Sequence, residues 1–129
     1  TSMKYMFRDC SGLTSVGNLS NWDTSKVTDM QYMFNGCRGL TTLDLSNWDT
    51  SKVTNMQNMF YDCRGLTELR MGGNPSSLIY ANGMFYGITT TGRFYYNSAY
   101  DYNKIKAVLP STWTAIPCTL VDGVLVPNE

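Results

Sequence analysis

Histidine is absent from all 129 residues. That absence removes the commonest general base and the commonest metal ligand, and it leaves any serine without its usual activating partner. The chain is accordingly read as no enzyme, with no cofactor or metal implied. An excess of charge of one sign is also missing: ten Lys and Arg balance ten Asp and Glu. A nucleic-acid interface normally carries a basic excess, so nucleic acid is excluded as a partner. Apolar runs are only a few residues long, far short of the ~20 needed to span a bilayer. No N-terminal leader is recognisable either. At 43% apolar residues, the chain still has enough to fill the core of one domain.

What is present is a repeat. Phe34 recurs as Phe60, Cys37 as Cys63 and Leu40 as Leu66, each 26 residues on. Looking back, Phe34 matches Phe7 and Cys37 matches Cys10 at 27 residues. A fixed period of this size marks a solenoid, in which each coil buries its apolar side only against its neighbours. Residues 1–7 align with residues 28–34, so the chain opens inside a repeat. The expectation is a piece of a longer protein with further coils upstream.

The coil at 30–55 is the cleanest copy. Leu43 and Leu45 stand two apart and share one face of a strand, leaving Thr42 and Asp44 on the other. Asn47-Trp48-Asp49-Thr50-Ser51 is turn chemistry. Val53, Met56, Met59 and Phe60 then follow at spacings that predict one or two helical turns, capped by Asp49 or Ser51. Each coil is thus expected to be a short strand, a turn and a short helical piece. The first coil, to about Asp29, carries one extra residue near Gly17, where a bulge or bend is expected. The third keeps Leu66, Leu69 and Met71 but replaces the Trp turn with Gly72-Gly73-Asn74-Pro75-Ser76-Ser77. Leu78 and Ala81 then stand for Val53 and Met56, and Met84-Phe85 for Met59-Phe60. Residues 1–91 are read as the solenoid. Residues 92–129 are read as a C-terminal cap: a strand at 93–96, a short helix stopped by Pro110, and a hairpin with Asp122-Gly123 at its turn.

The run Leu43-Asp44-Leu45-Ser46-Asn47-Trp48-Asp49-Thr50-Ser51-Lys52-Val53-Thr54-Asn55-Met56, followed by Met59-Phe60 and Cys63, closely resembles the 26-residue bacterial surface-protein repeat. That is the BspA-like class of leucine-rich repeats, and the likeness covers about residues 3–90. Residues 102–113 resemble the tail that often closes such arrays. The resemblance implies an α/β leucine-rich-repeat solenoid with a stacked parallel sheet. It implies a secreted or surface-anchored bacterial protein, since some members act as adhesins for host or matrix proteins. Trp22 and Trp48 stand nearest the place of the usual asparagine ladder, so that ladder is not expected here.

Several constellations carry two readings. Cys10, Cys37 and Cys63 form one column, in which a disulfide or metal ladder is conceivable at a strand spacing of about 4.8 Å. Ile88 stands in the fourth copy, which favours a column of apolar fillers with free thiols. The Met-Phe pairs (Met6-Phe7, Met33-Phe34, Met59-Phe60, Met84-Phe85) read as core rather than as a groove. Trp22 and Trp48 fit either a sugar platform or packing over the turn. Asp23-Thr24-Ser25 and Asp49-Thr50-Ser51 offer one carboxylate per coil, too few for calcium, and read as turn caps. Asn18-Leu19-Ser20 matches a glycosylation sequon.

The outward strand positions vary most between coils: Ser15 and Gly17, Thr42 and Asp44, Glu68 and Arg70. Solenoids commonly bind through the sheet face. Thr42, Asp44, Glu68 and Arg70 are therefore the expected binding residues. The expected function is non-enzymatic binding at the outside of a bacterial cell, as adhesion to a protein or glycan of a host or neighbouring cell. The alternatives are a structural spacer presenting another domain, or a phage or prophage receptor-binding component.

Overall fold

Leu43 and Leu45 enter the core and Thr42 and Asp44 stay outside, which makes 42–45 the first strand, β1 (Thr42–Leu45). Glu68–Met71 repeats it as β2, with Leu69 and Met71 inward. The sheet continues through β3 (Gly92–Asn97), β4 (Trp113–Val121) and β5 (Val124–Pro127), in the order β1-β2-β3-β4-β5. The first three pairings are parallel and the last is antiparallel. The computed structural model describes residues 1–17, 19–88 and 91–128; the Asn18 sequon lies outside the described residues. Among these the chain is a β-solenoid of about three coils with a stacked parallel sheet.

The expected helical pieces are absent: the one helix among the described residues is α1 (Asn103–Lys106). Where helical turns were expected, the coil runs through overlapping turns. Alternate residues divide their N–H groups between the local chain and the next coil. Met59 donates to Met56 O, Tyr61 to Asn58 O and Cys63 to Phe60 O, while Asn58, Phe60 and Asp62 donate to Asn82, Met84 and Tyr86 of the following coil at 2.8–3.2 Å. The preceding coil repeats the pattern, with Tyr32, Phe34 and Gly36 donating to Gln57, Met59 and Tyr61. Positive φ recurs at Tyr5, Tyr32, Asn58 and Gly83, and again at Asp9, Gly36, Asp62 and Gly87, so the backbone dihedrals repeat with the coil. The physical reason is width. An α-helix with its side chains is about 10–12 Å across, whereas adjacent strands stack at about 4.8 Å. Here the turn wall is itself hydrogen-bonded from coil to coil, so it too is stacked at strand spacing and leaves no room for helices. The three-residue spacing of Val53, Met56 and Met59 belongs to successive i→i−3 turns, not to a 3.6-residue period.

Stacking builds the core. Phe7, Phe34, Phe60 and Phe85 form a ladder with ring centroids 5.3, 5.7 and 5.6 Å apart. Each aromatic pair adds about 0.5–1.5 kcal/mol beyond its buried area. Met33, Met59 and Met84 lie fully buried beside it. Leu78 and Ala81 are buried in the places of Val53 and Met56. A parallel bridge column, Ser2-Asp29-Asn55-Tyr80, ties the same coils at a second point. The first coil forms no strand in its described part: Gly17 has φ +71° beside the extra residue.

Beyond the coils, Tyr102 and Ile105 of the α1 region are buried in the same core. The Tyr102 hydroxyl donates to Gly73 O and so holds this segment against the third coil's altered loop. Asp122 and Gly123 both have positive φ, and Val121 pairs with Val124 around them. This is the geometry that a two-residue type I′ turn demands.

Candidate binding groove on the sheet face

The register places the outward positions in rows. Thr42 lies beside Glu68, Glu68 beside Arg93 and Arg93 beside Thr114. The next row is Asp44, Arg70, Tyr95 and Ile116. The first row borders an open polar groove of about 580 Å³, lined by Thr42, Thr67, Glu68, Arg93 and Thr114 among others. The Thr67 hydroxyl donates to Thr41 O at 3.2 Å, which fixes its rotamer along the coil edge. Among the described residues the Arg93 guanidinium has no ion-pair or hydrogen-bond partner, and the side chain is exposed. The groove thus offers a carboxylate, a guanidinium free among the described residues and several hydroxyls, a set suited to polar recognition.

Thr42 and Glu68 line this groove; Asp44 and Arg70 are committed elsewhere. Asp44 accepts from the Ser46 backbone N–H at 3.0 Å and from its hydroxyl at 2.5 Å, closing the turn after β1. The Arg70 guanidinium lies 4.0 Å from the centre of the Tyr95 ring. It also donates to Leu125 O at 3.4 Å and contacts Glu68 at 3.5 Å. Tyr95, Cys118 and Leu125 form a small second core on this face, with Ile116 against it. The β4–β5 hairpin therefore lies against Arg70 and Tyr95 of the second row, and its tip reaches Asn47, whose amide donates to Gly123 O at 3.3 Å. Arg93 and Thr114 were missed from the sequence. Their outward placement depends on the parallel register of β3 and β4, which no repeat announces.

The remaining constellations resolve by burial. The four cysteines are free, and Cys37, Cys63 and Cys118 are buried. The Cys37 thiol donates to Phe7 O and the Cys63 thiol to Phe34 O, each at 2.9 Å and each one coil back. Burial pushes the Cys37 thiol up to about 11 and the Cys63 thiol to about 12. Among the described residues no three His, Cys, Asp or Glu side chains converge on a possible metal position. Trp48 is only 2% exposed and stacks on Trp22 at 6.0 Å, so the pair packs over the turn. Asp23 and Asp49 each accept from the backbone N–H of the serine two residues on, at 3.0 and 2.9 Å. Hydrogen bonding by the side chains of Ser25 and Ser51, and then these backbone bonds, hold both carboxyls below the usual range. They close turns rather than cap helices.

Stacked coils, a parallel sheet and an open polar groove on the sheet define a β-solenoid repeat domain. The particular family follows from comparison: residues 1–106 match the profile of the family described as "Mycoplasma protein of unknown function, DUF285", and the chain belongs to that family. No curated protein matches the chain, and no solved structure does.

Proposed function

We propose that this domain is a non-enzymatic binding module of a bacterial surface protein. It recognises a protein or glycan outside the cell through the groove bordered by Thr42, Glu68, Arg93 and Thr114. One observation carries the reading: a hollow of about 580 Å³ lies on the face whose residues differ from coil to coil, and Arg93, whose guanidinium has no partner among the described residues, lines it. A core that repeats beneath a surface that varies is the division of labour expected of a repeat scaffold. The family's relation to bacterial surface repeats supports an extracellular setting and the BspA-like leucine-rich-repeat kinship. In that kinship the Leu40-x-x-Leu43-x-Leu45 spacing supplies the strand, with turns in place of the usual helices.

The test is a binding screen of the purified domain against matrix proteins, cell-surface glycans and wall polymers. The double variant Glu68→Gln, Arg93→Gln follows on any saturable hit. Hydrogen bonds to charged groups are worth about 1.5–3 kcal/mol, so the double variant should weaken the interaction at least tenfold. Its thermal midpoint should not move, since neither side chain supports the core. A folded domain that binds nothing on the panel, or a hit indifferent to both substitutions, overturns the groove reading. The former outcome favours a structural spacer.

A further inference from the structure

The turn-built wall carries a second surface of a different kind. Arg8, Asn35, Tyr61 and Tyr86 occupy one column of that wall, and Asp9, Gly36, Asp62 and Gly87 the next. In the last two coils the first column becomes a tyrosine pair, with rings 5.2 Å apart and 24° from parallel. Tyr86 is 66% exposed, so this stack sits at the surface and does little for the core. Beside it, the Asp62 carboxylate is gripped from both sides. Arg38 approaches one oxygen to 2.7 Å and Arg64 the other to 2.6 Å. Two guanidiniums sharing one carboxylate leave a net positive cluster in a fixed position. Arg64 spends only its Nε on Asp62, and among the described residues its two terminal nitrogens have no other acceptor. Tyr61, Asp62, Arg64, Tyr86 and Gly87 surround an open hollow of about 380 Å³. Gly87 has φ +84°, and a Cβ there would stand 3.3 Å from the Asp62 backbone. A glycine at this place both permits the close approach of the coils and leaves the hollow's floor bare.

We infer that this hollow is a binding site for an acidic pyranose residue of a glycan. The chemistry selects that class. The negative face of a stacked aromatic pair attracts the C–H face of a sugar ring. A guanidinium with free terminal nitrogens matches a sugar carboxylate in bidentate geometry. The volume is at the lower end of ligand pockets, which suits a single ring. A guanidinium already held by Asp62 pays less side-chain ordering on binding. The site shares no residue with the sheet-face groove, so either can fail without the other.

The experiment is titration calorimetry of the whole chain with 3′-sialyllactose and with trigalacturonate. Lactose and a tetraglutamate peptide serve as comparisons. Saturable binding of at least one acidic sugar is expected, weaker for lactose and falling as NaCl is raised. Tyr86→Ala and Arg64→Met should each weaken it by roughly tenfold, while Glu68→Gln with Arg93→Gln leaves it unchanged. Both tested side chains are largely exposed, so unchanged thermal midpoints will show that the variants fold. No saturation by either acidic sugar overturns the inference. So does an affinity unmoved by Tyr86→Ala, or a peptide that binds as tightly as the sugars.

Discussion

The indole N–H of Trp48 donates to the carbonyl oxygen of Leu19 at 3.1 Å, joining the second coil to the first where the first carries its extra residue. Both residues are buried, so the carbonyl has no water to replace the bond. Trp48→Phe keeps the stack on Trp22 but orphans that carbonyl. Leaving a buried acceptor unpaired costs about 1–3 kcal/mol, which should lower the thermal midpoint by roughly 3–15 °C. An unmoved midpoint would mean that the first coil relaxes enough to admit water.

Gly72 follows β2 at a place where the coils nearly touch. A Cβ there would lie 2.0 Å from the backbone oxygen of Ser46, a clash with the main chain of the preceding coil. Gly72→Ala should therefore destabilise the domain by about 1–3 kcal/mol or more, read from urea unfolding. A wild-type transition would show that the two coils can separate at no cost.

The thiol column makes the fold sensitive to alkali. The thiols of Cys37 and Cys63 ordinarily titrate at 9.0 and are raised to about 11 and 12 by burial. Between those values the unfolded chain loses protons that the folded chain retains, so stability falls with rising pH. The contribution is whole below about pH 9 and lost as pH climbs through 11 to 12. Unfolding measured from pH 8 to 11 should show that decline, and Cys37→Ala with Cys63→Ala should flatten it. In the native protein Cys10, half-buried at the first coil, should react with a thiol reagent before the other three.

Asp62 gives the opposite slope. Hydrogen bonds from Arg38 and Arg64 hold its carboxyl below the usual carboxylate value of 3.8. A carboxyl lowered by folding contributes stability that is present above the unfolded value and lost as pH falls through the folded one. Stability should therefore drop on acidification below about pH 4, and less steeply in Asp62→Asn. Equal slopes in the two proteins would show that solvent screens the ion cluster.

Arg70 fastens the hairpin over the sheet face, through the Tyr95 ring and Leu125 O. Arg70→Met should loosen β5 before the rest, since a cation–π contact is worth roughly 0.5–2 kcal/mol. Amide exchange should speed up at Leu125 and Val126 while Leu43 and Leu69 keep their protection. Uniform acceleration across the sheet would refute a local role. The same contacts make Arg70 a poor probe of ligand binding, because its loss also moves the hairpin.

The sequence by itself determined the period, the strand positions, the hairpin turn, and the columns of Met, Phe and Cys, which are buried from the second coil on but not at the first, where Met6 is 46% exposed and Phe7 and Cys10 are half-buried. These follow from identities at fixed offsets and from local backbone chemistry: two leucines two apart share a face whatever surrounds them, and Asp122-Gly123 prefers positive φ. The wall opposite the strand reading was decided by tertiary structure. Spacings of three, three and one at Val53, Met56, Met59 and Phe60 fit a helical stripe and a run of turns equally well. Only the coil-to-coil hydrogen bonds on this wall, which hold it at strand spacing, rule out the wider element. The same holds for the surfaces. Thr42 and Glu68 were legible as outward because they sit in repeated strands, whereas Arg93 and Thr114 reach the groove through a register set beyond the repeat. Asp44 and Arg70 read as free until the turn after β1 engaged the first and the hairpin the second. The tyrosine pair beside Asp62 is assembled from residues 25 apart, and it exists only because the coils stack in register.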